Sequence, residues 1–149
     1  MSSITEKTNI MSTQDKAEEK QRVKTLLSEY FANRDDIDAV ILFGSFASGK
    51  FHEKSDVDIA VHSKTRLSYD TLAEIQVALS LLCNREFDVA DLSQAEGLFL
   101  YQIMTKGERI KFSHDVFHKY TMKALYFYED LLPIQRACRA ESIRRKIHG

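Results

Sequence analysis

Ala39-Val40-Ile41-Leu42-Phe43 runs straight into Gly44-Ser45, and after ten further residues the chain reads Asp56-Val57-Asp58-Ile59-Ala60-Val61. The first run is uninterruptedly apolar, as a strand buried on both faces is, whereas the second alternates with period two. Asp56 and Asp58 therefore share one strand face, and Val57, Ile59 and Val61 fill the other as core. Two neighbouring carboxylates with no evident basic partner repel each other, and a divalent cation relieves that repulsion. A hard, oxygen-seeking ion such as Mg²⁺ suits them. The turn brings the complementary chemistry. Gly44 has no Cβ to keep a ligand off the backbone, and Ser45 offers a hydroxyl and an N–H at what reads as a helix start, a position that favours an anionic phosphate. Either element alone is commonplace, since Gly-Ser is usually an ordinary turn and Asp-x-Asp a solvated strand end. Their spacing, each attached to a convincing strand, points to metal-assisted transfer of a nucleotide.

Composition narrows the setting. The chain has 149 residues, enough for one substantial core but short for the extra domains of a template-reading polymerase. Lys and Arg total 21 against 22 Asp and Glu, so no global basic field draws in a polynucleotide, and direct nucleic-acid binding is not expected. A small molecule or a protein is the better acceptor. Cys83 and Cys138 stand far apart, without the spacing of a disulfide framework or zinc site, and read as packing residues in a reducing compartment. No window has the length of a membrane span and the start lacks the apolar run of a signal peptide, so a cytoplasmic location is expected.

The rest of the chain organises around the central motif. Met1 to Ser12 is polar and aperiodic and reads as a flexible tail, with residues 13–149 as the domain, 38–112 its core and 115–147 a helical C-terminal segment. From Thr13 to Ala32, Val23, Leu26, Leu27, Tyr30 and Phe31 recur at helical spacing as a core-facing stripe. Leu72, Ile75, Leu79 and Leu82 mark a second amphipathic helix, which leads to Arg85-Glu86-Phe87-Asp88-Val89-Ala90-Asp91-Leu92 and so to a strand-helix-strand unit. Ser93 is expected to cap a helix carrying Leu98, Ile103 and Met104 that Gly107 ends, followed by an edge strand at Arg109-Ile110-Lys111-Phe112. Phe117, Tyr120, Leu125, Tyr126, Phe127, Tyr128, Leu131 and Leu132 form an aromatic-rich helix that Pro133 should kink or end. Beyond it lie Arg136, Arg139, Arg144, Arg145 and Lys146 against the single acid Glu141. This segment either packs on the sheet with a solvated basic end or presents a docking surface, since aromatics and Arg are favoured at interface hot spots. The five histidines show no metal-ligand pattern; His114 and His118, four apart, read as a surface pair.

Gly44-Ser45 followed by Asp56-Val57-Asp58 resembles the signature of the minimal nucleotidyltransferase (MNT) family, within the DNA polymerase β-like superfamily, over roughly Asp38 to Leu92. The resemblance implies an α/β (α+β) fold, a mixed sheet flanked by helices. It also implies two Mg²⁺ ions held mainly by Asp56 and Asp58, and ATP with its terminal phosphates against Gly44 and Ser45. The family uses a third carboxylate on a later strand. Asp88, alternating against Phe87 and Val89, is the candidate; Asp91 falls on the other face and ranks second, as a helix-start residue beside Ser93. One departure stands out: many MNT proteins carry arginines just after Gly-Ser, and here Phe46-Ala47-Ser48-Gly49-Lys50 leaves only Lys50 to meet phosphate in that loop.

Small stand-alone MNT proteins resemble the antitoxin half of HEPN/MNT toxin–antitoxin systems. On that resemblance the partner is a HEPN-type RNase toxin, and the reaction moves AMP from ATP to a toxin tyrosine. Two other readings stand beside it: an aminoglycoside-type nucleotidyltransferase acting on a small hydroxylated molecule, and a non-catalytic MNT module that blocks the toxin sterically.

Overall fold

The computed structural model describes residues 11–148, with the side chains of residues 130–132, 134, 135 and 142–148 left aside. Helix α1 (Thr13–Ala32) precedes strand β1 (Ile37–Phe43), the short helix α2 (Gly44–Ser48) and strand β2 (Val57–Ser63). Helix α3 (Tyr69–Cys83), strand β3 (Phe87–Asp91), a 3₁₀ turn at Leu92–Gln94, helix α4 (Gly97–Lys106), strand β4 (Glu108–Lys111) and helix α5 (His114–His148) complete the order. The four strands make one mixed sheet in the order β3-β2-β1-β4. β1 pairs antiparallel with β2 and with β4, while β2 and β3 are parallel, as a crossover through α3 requires.

Strand alternation divides the core into two layers. Val40, Leu42, Val57, Ile59, Val61, Phe87 and Val89 pack beneath α1 and α3, on Val23, Leu27, Phe31, Ile75, Leu79 and Cys83. Ala39, Ile41 and Ala60 face the other way, onto Leu92, Leu100 and Ile103 and onto Val116, Tyr120 and Ala124 of α5. The expected fold, a mixed sheet flanked by helices with a helical C-terminal segment, is the observed one.

Several details depart from the pattern read along the chain. Residues 1–10 of the expected tail lie outside the described residues, but Met11 packs against the core and Ser12 caps α1 in a reciprocal capping box with Asp15. Leu82 is half exposed while Cys83 takes the inward position at the end of α3. Cys138 is exposed rather than packed. Ser93 sits within the 3₁₀ turn; α4 starts at Gly97 after an N-cap Glu96 whose side chain makes no capping bond, and Leu98 points outward where Leu100 is buried. Pro133 does not end α5, which runs on to His148. Its missing N–H removes one i→i−4 bond, a loss that a helix of 35 residues absorbs.

Gly107 ends α4 as expected, though its backbone is extended rather than left-handed. The need for glycine is spatial, because a Cβ here would run into the Ile103 carbonyl and Ile41 Cγ2. α4 thus stops hard against β1.

One buried charge holds the loop between α2 and β2. The Arg85 side chain, 4% exposed, donates from Nη1 to Glu53 O and from Nη2 to His52 O, both at 2.8 Å, and reaches Glu19 of α1 at 3.4 Å. Its guanidinium also lies over the rings of Phe46 and Phe51, 5.1 and 5.4 Å from their centroids. Burial lowers its pKa, partly offset by Glu19. Replacing Arg85 with Met keeps an apolar stem but strips two carbonyls of their donors, and should cost about 1–3 kcal/mol in chemical denaturation. Unchanged stability would show that the loop holds its shape without the clamp.

Candidate active site

The three carboxylates singled out from the sequence converge on one end of the sheet. Phe43, the last residue of β1, stands opposite Asp58 in β2, and Asp58 stands beside Asp88 in β3. Asp56 precedes β2 by one residue. Burial raises the Asp58 pKa above the usual carboxylate range, and the negative charges of Asp88 and then Asp56 push it the same way. That shift registers their proximity in physical terms. Among the described residues, none of the three has a basic partner.

Gly44 is bound into this cluster from above. Its φ of +76° lies in the left-handed region, and a Cβ would collide with the Asp58 carboxylate, Oδ2 first. Glycine is therefore demanded here by the close approach of the Asp58 carboxylate as well as by the backbone conformation. Ser45 is exposed in the first turn of α2, its carbonyl accepting from Ser48 Oγ at 3.1 Å and from Lys50 N at 3.0 Å. From the rear, Lys20 of α1 donates to Ala47 O at 2.7 Å and pairs with Glu108, so α2 is tied to α1 and β4.

Asp91 lies apart from this chemistry. Its carboxylate accepts from Ser93 N at 3.0 Å and Ser93 Oγ at 2.7 Å, capping the 3₁₀ turn. Period two thus separates the two acids of β3, Asp88 in the row of Asp58 and Asp91 at the far end opposite Val61.

A cleft of about 400 Å³ opens beside Gly44, lined by Phe43, Ser48, Lys50, Phe99, Gln102, Ile103 and Lys106. Phe99 meets Phe43 edge-to-face, ring centroids 5.5 Å apart. Phe99, Gln102 and Lys106 come from α4, and their sequence context reads only as a helix. Their spacing of three and four, one helical face, is the signal that marks them once α4 is known to cross the end of β1.

The donor set suits Mg²⁺: oxygen ligands only, uncompensated negative charge and an open flank. No group of three or more His, Cys, Asp or Glu among the described residues forms a ready cage for one ion. Mg²⁺ at nucleotide sites is commonly held by one or two carboxylates together with substrate phosphates, so an incomplete protein shell fits that mode.

Comparison with known proteins places this geometry. Residues 26–115, more than half of the chain, match the family model described as polymerase beta, nucleotidyltransferase. The protein adenylyltransferase MntA of Shewanella oneidensis is 26% identical over 99 residues, spanning 66% of this chain and 71% of that protein. Among solved structures, a chain of a toxin–antitoxin crystal structure with AMP-PNP superposes with a TM-score of 0.66 at 21% identity, covering 80% of this chain and 98% of that one. A chain from the complex of tri-AMPylated Shewanella oneidensis HEPN toxin with MNT antitoxin gives 0.63 at 19% identity, covering 83% and 98%. At these identities the superpositions speak for the fold, and the family match speaks for nucleotidyl transfer. The chain belongs to the polymerase beta nucleotidyltransferase family.

Proposed function

We propose that this protein is an antitoxin enzyme that transfers AMP from ATP to a tyrosine hydroxyl of a HEPN-type RNase toxin and so neutralises it. The observation that carries the catalytic part is the row of Phe43, Asp58 and Asp88 across three strands, with Gly44 folded onto the Asp58 carboxylate, Asp56 at the edge and no basic partner for the three acids among the described residues. The choice of acceptor is supported by the relatives, one named a protein adenylyltransferase and one in complex with a tri-AMPylated HEPN toxin.

In this reaction the tyrosine oxygen attacks the α-phosphorus in line, the bond from that phosphorus to the α–β bridging oxygen breaks, and pyrophosphate leaves with the electron pair. Two Mg²⁺ ions, held by Asp56, Asp58 and Asp88, would neutralise charge on the attacking and departing oxygens. The chain's own groups do the positioning. Ser45 and the Gly44 backbone meet the terminal phosphates with Lys50 beside them, and exposed Asp88 is placed to receive the hydroxyl proton. Catalysis of phosphoryl transfer is chiefly positioning and electrostatics, so a small domain suffices. The C-terminal segment, residues 115–147, serves as the acceptor-side arm. Leu125, Tyr126 and Tyr128 are exposed on α5, and Tyr128 stacks on Tyr101 of α4 at 4.9 Å. Arg136 and Arg139 are exposed beyond them, while the side chains of Arg144, Arg145 and Lys146 lie outside the described residues. The setting is the cytoplasm; among the described residues no helix is long and apolar enough to cross a membrane.

Asp56→Asn and Asp58→Asn should each reduce transfer of α-labelled AMP to a HEPN toxin by on the order of 10³-fold while toxin capture persists. Full transfer by the double variant would rule out the catalytic assignment. Capture and neutralisation without any labelling, by the unaltered protein, would identify a steric blocker instead.

Gly44→Ala and Gly49→Ala form an informative pair, because both positions have left-handed φ but only Gly44 abuts Asp58, while Gly49 faces open space. Both should lose about 1 kcal/mol of stability to backbone strain. Transfer should collapse only in Gly44→Ala. Equal activities would detach the turn from the metal-side carboxylate.

Deleting residues 136–149 should weaken toxin modification and leave ATP binding intact. Comparing AMP transfer with nucleotide titration for the full and shortened chains decides this, and unchanged transfer would make the basic end a solvated helix terminus.

A further inference from the structure

The antiparallel ladder between β1 and β4 sets Leu42 opposite Glu108. Lys106 stands two residues before Glu108, so the register that builds the sheet edge also brings the end of α4 to Phe43 and Gly44. Gly107 locks that approach, since no side chain fits between Ile103 O and Ile41. Lys106 is thereby delivered to the cleft that Gly44, Ser48 and Lys50 line from the other side.

The lysines around this end of the molecule divide into two kinds. Lys20 and Lys24 share an ion pair with Glu108, and the Lys111 ammonium donates to the carbonyls of Phe31 and Arg34. Lys50 and Lys106 are exposed, and their side-chain ammonium groups have neither an acidic partner nor a hydrogen bond among the described residues. Two unpaired ammonium groups thus share one cleft next to Gly44, whose Cβ position abuts the uncompensated Asp58 carboxylate. A polyanion laid between them, with its own cation toward the carboxylates, satisfies both sets at once. Solvation at a helix C-terminus, where a cation is favourable in any case, explains exposure of Lys106 but not the convergence with Lys50 on Gly44.

We propose that Lys106 binds the β- and γ-phosphates of the nucleotide together with Lys50, supplying from α4 the positive charge that arginines after Gly-Ser supply in many MNT proteins. The inference rests on the nucleotidyltransferase reading. It adds a phosphate ligand from outside the Gly44–Asp58 motif, placed there by the β1–β4 pairing.

Calorimetric titration of the full chain with ATP, AMP and inorganic tripolyphosphate, each with Mg²⁺, tests it in the unaltered protein and in Lys106→Ala, Lys106→Arg and Lys50→Ala. Lys106→Ala should weaken ATP and tripolyphosphate about tenfold or more and AMP less than about twofold, with the loss shrinking at high salt. Lys106→Arg should restore most of the affinity. Lys106 is exposed, so its variants should melt with the unaltered protein. Undiminished ATP affinity in Lys106→Ala, or equal losses for ATP and AMP, would overturn the assignment while leaving the enzyme reading in place. Failure of the unaltered protein to bind ATP with Mg²⁺ would overturn the underlying reading and this inference with it.

Discussion

The site depends on a single constraint, the row formed across the sheet by Phe43, Asp58 and Asp88. Strand pairing places Asp58 between the end of β1 and Asp88, and the turn that follows Phe43 folds Gly44 down onto the Asp58 carboxylate. Backbone hydrogen bonds therefore pack like charges together at the sheet end. The cost is visible in Asp58, whose ionisation is opposed by burial and by both neighbouring acids. A cation at this end of the sheet would relieve that repulsion, and its binding would stabilise the folded chain.

Around that row the protein restrains the connecting loop through its backbone. Arg85 grips the backbone at His52 and Glu53 and sandwiches against Phe46 and Phe51, while Lys20 holds the carbonyl end of α2. Both residues hold peptide carbonyls, which leaves the side chains of Ser45 and Lys50 exposed to solvent. The loop can thus be polar and exposed on one side without losing its geometry. His62 and Asp38, 2.6 Å apart, tie β2 to β1 at the opposite end of the sheet, and Tyr120 of α5 lies edge-on to the His62 ring. Burial raises the Tyr120 pKa, helped by the Asp91 and Asp38 charges, so this tyrosine stays a neutral packing residue.

The C-terminal helix joins two roles in one element. Its first turns, with Val116, Tyr120 and Ala124 buried, complete the second core layer, and its later aromatics are exposed. Burial near the sheet and exposure beyond it divide the described turns of this helix into a packing part and a solvent-facing part.

Local patterns in the chain determined the parts that depend on short-range physics. Periods of 2 and 3.6 marked the strands and helices, α1 to its observed bounds; the face of β3 carrying Asp88 rather than Asp91 followed from alternation; Gly44, Ser45, Asp56 and Asp58 were legible as a motif because their chemistry recurs at short separation. Tertiary structure alone decided what links distant residues. Arg85 reads as a polar strand-entry residue until folding buries it beneath two phenylalanines contributed by residues 46 and 51. Leu82 and Cys83 exchanged roles because residues three and four beyond Leu79 both lie near its helical face, and only packing chooses between them. Pro133 stayed inside α5 because helix propagation outweighs one lost hydrogen bond. Lys106 joined the cleft only through the pairing of β4 with β1, a contact between segments more than sixty residues apart, whose register is set by backbone hydrogen bonding rather than by any pattern near the lysine itself.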